Sequence, residues 1–210
     1  MSKMNLPNKL TVLRMCLVPF ILIVGMIPAK DIWHYVTCVI CAALFIGASI
    51  TDMLDGKIAR RDNLITDFGK FLDPIADKFM VIGAMFVLLY KFENLRLIMI
   101  FTLIVVVFRE LAVTSMRLVV STGKSIVIAA NYLGKLKTVS QIIAVSTVLL
   151  EPVVQFVVKL VVEAVSGEKL LWRTDIVPLS WATLAFCLVM TVWSGLNYII
   201  AYWKYLDPEK

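Results

Sequence analysis

A bundle of six transmembrane α-helices is the fold class this sequence predicts, and three observations predict it. Hydrophobic residues make up 60% of the 210 residues, well above the apolar share of an average soluble domain, and the mean hydropathy is +0.89. Several apolar windows approach the roughly 20 residues that a helix needs to cross a bilayer. No series of alternating ten-residue strands occurs. In a bilayer only helices and closed barrels satisfy their own backbone groups, so helix is the spanning structure that remains.

The first predicted span is about Leu10–Ile27. Lys3 and Lys9 before it resemble the start of a secretory leader, but no small-residue cleavage site follows and Arg14 and Pro19 interrupt the run. An uncleaved first helix is expected, with Asn5–Arg14 lying along the interface before the chain turns inward. The second span, Ile32–Ile50, carries Gly47, Ala48 and Ser49, small enough to bring it close to a neighbour. Its Cys38 and Cys41 have no further cysteine or histidine nearby to complete a zinc site. With Cys16 and Cys187 they are expected as small core residues. His34 stands between Trp33 and Tyr35 at an outer helix end, where aromatic residues gather. The remaining spans are Phe71–Tyr90, Leu95–Val120, Leu136–Val165 and Ile176–Trp203. The polar stretch Ser121–Gly134 is expected to order on substrate binding, and Ser166–Asp175 to form an outer loop. No repeat or second domain is seen, so residues 1–210 read as one domain.

Placing the charges by loop gives the orientation. Lys3, Lys9, Lys57, Arg60, Arg61, Lys70, Lys124, Lys135, Lys137, Lys204 and Lys210 fall on one side of six spans. Lys30, Lys91, Arg96, Lys159, Lys169 and Arg173 fall on the other. The richer side should be cytoplasmic, with both termini there. This accounts for the net charge of +6 without nucleic-acid binding, for which the chain has no soluble domain.

Four acids stand out against this background. Asp52 and Asp55 are three apart, Asp73 and Asp77 four apart, so each pair shares a helix face. Ionisable groups in a span cost roughly 2.5–3.5 kcal/mol each on insertion scales and are usually functional. Carboxylates so gathered repel one another unless a cation lies between them, and oxygen ligands select hard ions such as Mg²⁺ or Mn²⁺. Four carboxylates suit two ions about 4 Å apart, an arrangement that clamps a reacting phosphoryl group. Gly56 and Ala59 share the stripe of Asp52 and Asp55 and let a flat ligand approach the backbone, while Arg60 offers a phosphate a planar fork. Gly69, Asp73 and Asp77 form a second stripe. Pro74 implies a kink or a helix start there. Lys78 points away toward lipid headgroups, and Arg61, Asp62 and Asp67 read as an ordinary wet loop.

The string Asp52-x-x-Asp55-Gly56-x-x-Ala59-Arg60, eight residues, Gly69-x-x-x-Asp73-x-x-x-Asp77 resembles the complete signature of the CDP-alcohol phosphotransferases. Six spans with the motif across the second and third agree with that family over the whole chain. The resemblance implies attack by an alcohol hydroxyl on the phosphoryl group of a CDP-linked substrate, releasing CMP. It also implies that Asp52, Asp55, Asp73 and Asp77 ligate two divalent ions and that Asp77 is the base. By the same likeness Asp52, Gly56, Ala59, Arg60 and Gly69 hold the CDP-lipid, and the protein is a homodimer.

The attacking alcohol is a separate question. Arg109 lies deep in an apolar run, where an unpaired structural arginine would be costly, and Arg117 is near the same face. A pair between Arg109 and Glu110 is not expected, because adjacent helix residues diverge. Lys135 and Lys137 open the fifth helix, whose dipole also favours an anion. These cations suit a phosphorylated acceptor. Asn5-Leu-Pro-Asn8-x-Leu-Thr11-x-x-Arg14, Arg109-Glu110 with Ser115 and Arg117, and Gly134-Lys-x-Lys-Thr-x-x-Gln141 are similar to a bacterial branch of the family. That branch joins CDP-diacylglycerol to sn-glycerol 3-phosphate in the cytoplasmic membrane, giving phosphatidylglycerol phosphate. The likeness implies Arg109, Arg117, Lys135 and Lys137 as the acceptor-phosphate site, and lipid tails in a groove open to the bilayer. Inositol phosphate is the main alternative acceptor; serine, and phosphatidylglycerol as in a CDP-dependent cardiolipin synthase, are others. A cation transporter would need ionisable groups continuing outward, and Val81–Leu89 and Cys38–Phe45 supply none.

Overall fold

The computed structural model describes residues 5–61, 66–124, 132–167 and 177–203; the side chains at 6, 7, 55, 57–61, 70 and 120–124 lie outside that description. Six long helices make up almost all of it: α1 (Leu6–Met26), α2 (Ile32–Arg61), α3 (Asp67–Lys91), α4 (Arg96–Lys124), α5 (Tyr132–Ser166) and α6 (Pro178–Tyr202). Five are long and apolar enough to cross a membrane; α3 is the sixth, and Asp73, Asp77 and Lys78 lower its apolar character. Lipid-facing side chains such as Phe20, Ile23, Phe101, Ile104, Phe108, Val161 and Trp193 are more than half exposed. A soluble monomer does not leave such a surface bare. The chain is therefore read as a multi-pass membrane protein.

Local chemistry explains where the helices begin. Asn5 accepts from the Asn8 backbone N–H at 3.3 Å and caps α1, and Thr66 accepts from the Gly69 N–H at 3.1 Å and caps α3. Each side chain satisfies an N–H that the first helical turn leaves without a partner. α1 is thus one helix from Leu6, not an interfacial segment followed by a turn, and Asn8, Thr11 and Arg14 are buried in the bundle. The Thr66 cap likewise sets the start of α3 seven residues before Pro74, which lies inside the helix. Of the two expectations for Pro74, the helix start is not met. Its ring nitrogen has no hydrogen to give the Lys70 carbonyl. α2 continues eleven residues past the expected Ile50, so its thirty residues span about 45 Å. That exceeds a hydrocarbon core of about 30 Å. The excess carries Asp52 and Gly56 beyond the apolar run. The Ser121–Gly134 stretch divides between the ends of α4 and α5, with 125–131 outside the described residues, as are 168–176 of the outer loop.

α1 packs chiefly against α3 and α2, α5 against α6 and α2, and α4 against α6 and α3. The core holds Phe45, Met85, Leu88, Leu95, Met99, Leu149 and Leu184. Cys38, Cys41 and Cys187 are fully buried there as expected, but Cys16 is exposed on the outside of α1. His34 packs edge-on against Tyr35 and Phe92. At the same end Glu151 of α5 accepts from the Leu179 and Ser180 N–H groups at 3.0 and 2.6 Å, capping α6 from a neighbouring helix.

Small residues do bring helices together, though not at Gly47, whose missing side chain faces open space. The close approach is between α1 and α3. A methyl on Gly25 would stand 2.2 Å from Val87 Cγ1, and one on Gly83 would stand 2.6 Å from Val18 Cγ1. Each glycine receives a valine from the facing helix, and helix association in lipid relies on such packing. Gly25→Ala is expected to cost about 1–3 kcal/mol by overpacking, read as a lower unfolding temperature in detergent. Gly47→Ala should be neutral or slightly stabilising, because alanine favours helix by roughly 1 kcal/mol over glycine. Equal shifts in the two variants would contradict this account of the α1–α3 contact.

Candidate active site

The polar side chains gather at one end of the bundle, where α1, α3 and α5 start and α2, α4 and α6 finish. Arg14 is the centre of the first group. Its side chain is 1% exposed, and its Nη1 lies 2.6 Å from Asp52 Oδ1 on α2 and 2.6 Å from Asp77 Oδ1 on α3. The two carboxylate oxygens are therefore no farther apart than twice that distance. One turn earlier on α1, the Thr11 hydroxyl donates to Asp73 Oδ1 at 2.7 Å. A further turn back, Asn8 and the Thr66 hydroxyl are hydrogen-bonded, with the Asn8 amide nitrogen 3.0 Å from Thr66 Oγ1. Asn8, Thr11 and Arg14 thus form a ladder that ties α1 to both halves of the aspartate signature.

Gly69 belongs to the same ladder. A methyl there would stand 2.9 Å from Asn8 Oδ1 and 3.3 Å from Thr66 Oγ1, so glycine lets α1 approach the capped end of α3. Asp52 and Asp77 retain side-chain exposures of 39% and 50%, and Asp73 is exposed. A substrate can reach all three. Gly56 follows Asp52 by one turn on α2; the side chains of Asp55, Ala59 and Arg60 lie outside the described residues. Among the described residues no three acidic, histidine or cysteine side chains stand close enough to enclose an ion. The donor set nevertheless fits a hard divalent cation, being oxygen only and approachable.

A second group lies across α3, α4, α5 and α6. Lys137, buried in the first turns of α5, forms an ion pair with Glu110 Oε1 of α4. Arg109 Nη1 approaches the same oxygen at 3.3 Å, and its Nη2 donates to Ser194 Oγ of α6 at 2.7 Å. The neighbouring pair Arg109–Glu110, not expected on one helix, forms because both long side chains turn toward Lys137 and Ser194. Lys78 also departs from expectation: its ammonium donates to Thr114 of α4 instead of reaching for headgroups. Arg117 donates to the Tyr198 hydroxyl through Nε and Nη2 at 3.2 and 2.7 Å. Lys135 is exposed at the start of α5. Arg109, Lys137 and Glu110 are therefore together, with Arg117 two helical turns along α4. An apolar groove of about 430 Å³ between α4 and α6 has Arg109 in its wall.

The Arg14 contacts carry a prediction for stability in metal-free buffer. Arg14→Met leaves two carboxylates facing each other without their shared donor. The loss expected is about 1–3 kcal/mol, measured as a lower unfolding temperature in detergent. An unchanged temperature would mean that the contacts contribute nothing to holding α1 on α2 and α3.

The sequence is similar to proteins of one family. A sequence profile of the CDP-alcohol phosphatidyltransferases matches residues 4–203. A Bacillus subtilis (strain 168) protein is 46% identical over 153 residues, 70% of this chain and 77% of its own. One from Yersinia enterocolitica is 32% identical over 210 residues, 98% of this chain and 100% of its own. One from Sodalis glossinidius is 30% identical over 202 residues, 95% of each chain. All three are named CDP-diacylglycerol–glycerol-3-phosphate 3-phosphatidyltransferase. Enzymes of this kind generally depend on a divalent metal. With its signature intact and its acids gathered at one end of a helical bundle, this chain belongs to the CDP-alcohol phosphatidyltransferase family.

Proposed function

We propose that this protein transfers the phosphatidyl group of CDP-diacylglycerol to sn-glycerol 3-phosphate, giving phosphatidylglycerol phosphate and CMP. The observation that carries the reading is its likeness, over nearly the whole chain, to relatives bearing that activity's name. The geometry supports it: three reachable carboxylates lie near one end of a lipid-facing bundle, with buried cations at the same end.

In this reading Asp52, Asp55, Asp73 and Asp77 hold two Mg²⁺ or Mn²⁺ ions. The ions would supply positive charge against the diphosphate. Gly56, Ala59, Arg60 and Gly69, with Asp52, hold the cytidine diphosphate part. Asp77, half exposed and fixed at Oδ1 by Arg14, accepts the proton of the attacking hydroxyl. The new bond joins the acceptor oxygen to the phosphatidyl phosphorus as the anhydride bond to CMP breaks. Arg109, Arg117, Lys135 and Lys137 draw the acceptor's phosphate, with Glu110 offsetting one of their charges. The acidic end faces the cytosol with both termini, the chain crosses a bacterial cytoplasmic membrane six times, and two copies pair as a homodimer with one site each.

The test is CMP release by detergent-purified protein given CDP-diacylglycerol and Mg²⁺. Glycerol 3-phosphate is compared with inositol phosphate, inositol, serine and phosphatidylglycerol. Release with glycerol 3-phosphate alone is expected; release with another acceptor would overturn the substrate assignment. Asp77→Asn should lower kcat by at least about 100-fold, the usual contribution of a positioned base, while CDP-lipid binding persists. Robust turnover in that variant would contradict the role given to Asp77.

A further inference from the structure

α6 contributes nothing to the aspartate signature, yet its inward stripe carries hydroxyls in an otherwise apolar helix. Thr191, Ser194 and Tyr198 are all at most 2% exposed. Thr191 turns its hydroxyl back to the Cys187 carbonyl of its own helix at 2.7 Å. Ser194 and Tyr198 instead reach α4 and accept from Arg109 and Arg117. Between them lies Gly195. A methyl there would stand 3.1 Å from Arg109 Cγ, so the aliphatic stem of Arg109 crosses α6 where α6 has no side chain.

The spacing of these contacts matters. Arg109 and Arg117 are eight residues apart, about 12 Å along α4, whereas Ser194 and Tyr198 are one turn apart, about 6 Å along α6. α4 and α6 run in the same direction, and each arginine meets its own acceptor on α6. The Tyr198 ring adds a face under Arg117, with Cζ 5.2 Å from its centroid. A guanidinium fixed through one edge keeps its other donors directed, and directed forks bind phosphate better than mobile ones.

We propose that Ser194, Gly195 and Tyr198 of α6 are positioning residues that set the affinity for the acceptor's phosphate by holding Arg109 and Arg117 at a fixed separation. This rests on the glycerol 3-phosphate reading. None of the three touches the reacting atoms.

The experiment is steady-state kinetics of the full-length protein in mixed micelles, with each substrate varied in turn, for the wild type, Tyr198→Phe, Ser194→Ala, Ser194→Thr and Gly195→Ala. Tyr198→Phe and Ser194→Ala should each raise KM for glycerol 3-phosphate about tenfold, the worth of one charge-assisted hydrogen bond. KM for CDP-diacylglycerol and kcat at saturating acceptor should stay within about twofold of wild type. Ser194→Thr, which keeps the hydroxyl, should restore most of the affinity, and Gly195→Ala should behave like Ser194→Ala. An unchanged acceptor KM in Tyr198→Phe and Ser194→Ala would overturn the proposal while leaving the function intact. So would equal losses for both substrates, which mean general damage. No glycerol 3-phosphate-dependent CMP release by the wild type would defeat the functional reading itself, and this inference with it.

Discussion

One buried guanidinium holds the site together. Arg14 reaches a carboxylate on each of the two helices that carry the aspartate signature. α2 and α3 touch each other only sparsely, while both pack closely on α1. The acids are therefore brought into one place through α1 instead of directly through their own helices. Thr11 and Asn8 extend the same tie toward the helix start, and Gly69 leaves the room that Asn8 needs. Farther along, Gly25 and Gly83 let α1 and α3 interlock. Without the apolar interlock, the polar ladder would have to be held against the repulsion of its own acids.

The second polar layer follows the same economy. A charge inside a membrane protein is tolerable when it is paired and turned inward. Glu110 gives Lys137 and Arg109 a common partner, Ser194 accepts from Arg109 Nη2, Tyr198 accepts from Arg117, and Thr114 takes Lys78. The cationic side chains are thus paired inside the bundle instead of standing bare in an apolar run. The far end of the bundle uses polar groups differently. There Glu151 caps α6 and Lys91 donates to Thr37 at 2.6 Å, contacts that fix helix ends.

Much of this was legible in the sequence. Apolar length located the helices, and the aspartate spacing pointed to the end of the bundle where the polar side chains gather, because both depend on local period alone. Helix ends were less legible: capped by Thr66, α3 starts seven residues before Pro74, and proline tolerated inside a packed helix overrode its usual meaning as a stop. Side-chain partners were least legible. Arg14 read as an interruption of an apolar run and as part of a family likeness, not as the partner of Asp52 and Asp77. A signal was present all the same in Asn8, Thr11 and Arg14, three apart on one apolar helix. Arg109 and Glu110 were read apart because neighbours on a helix diverge, a rule about Cβ directions that long side chains escape. The hydroxyls of α6 gave no motif, since one serine and one tyrosine acquire meaning only through what lies opposite.

The central claim is that the carboxylates gathered around Arg14 are a divalent-metal site. It is tested most directly by titrating Mn²⁺ into the purified, metal-free protein and following the electron paramagnetic resonance signal. The account predicts two Mn²⁺ bound per chain, magnetically coupled at close range, with the coupling lost in Asp52→Asn. Mn²⁺ that stays free in solution, or binding that Asp52→Asn leaves unaltered, would contradict it.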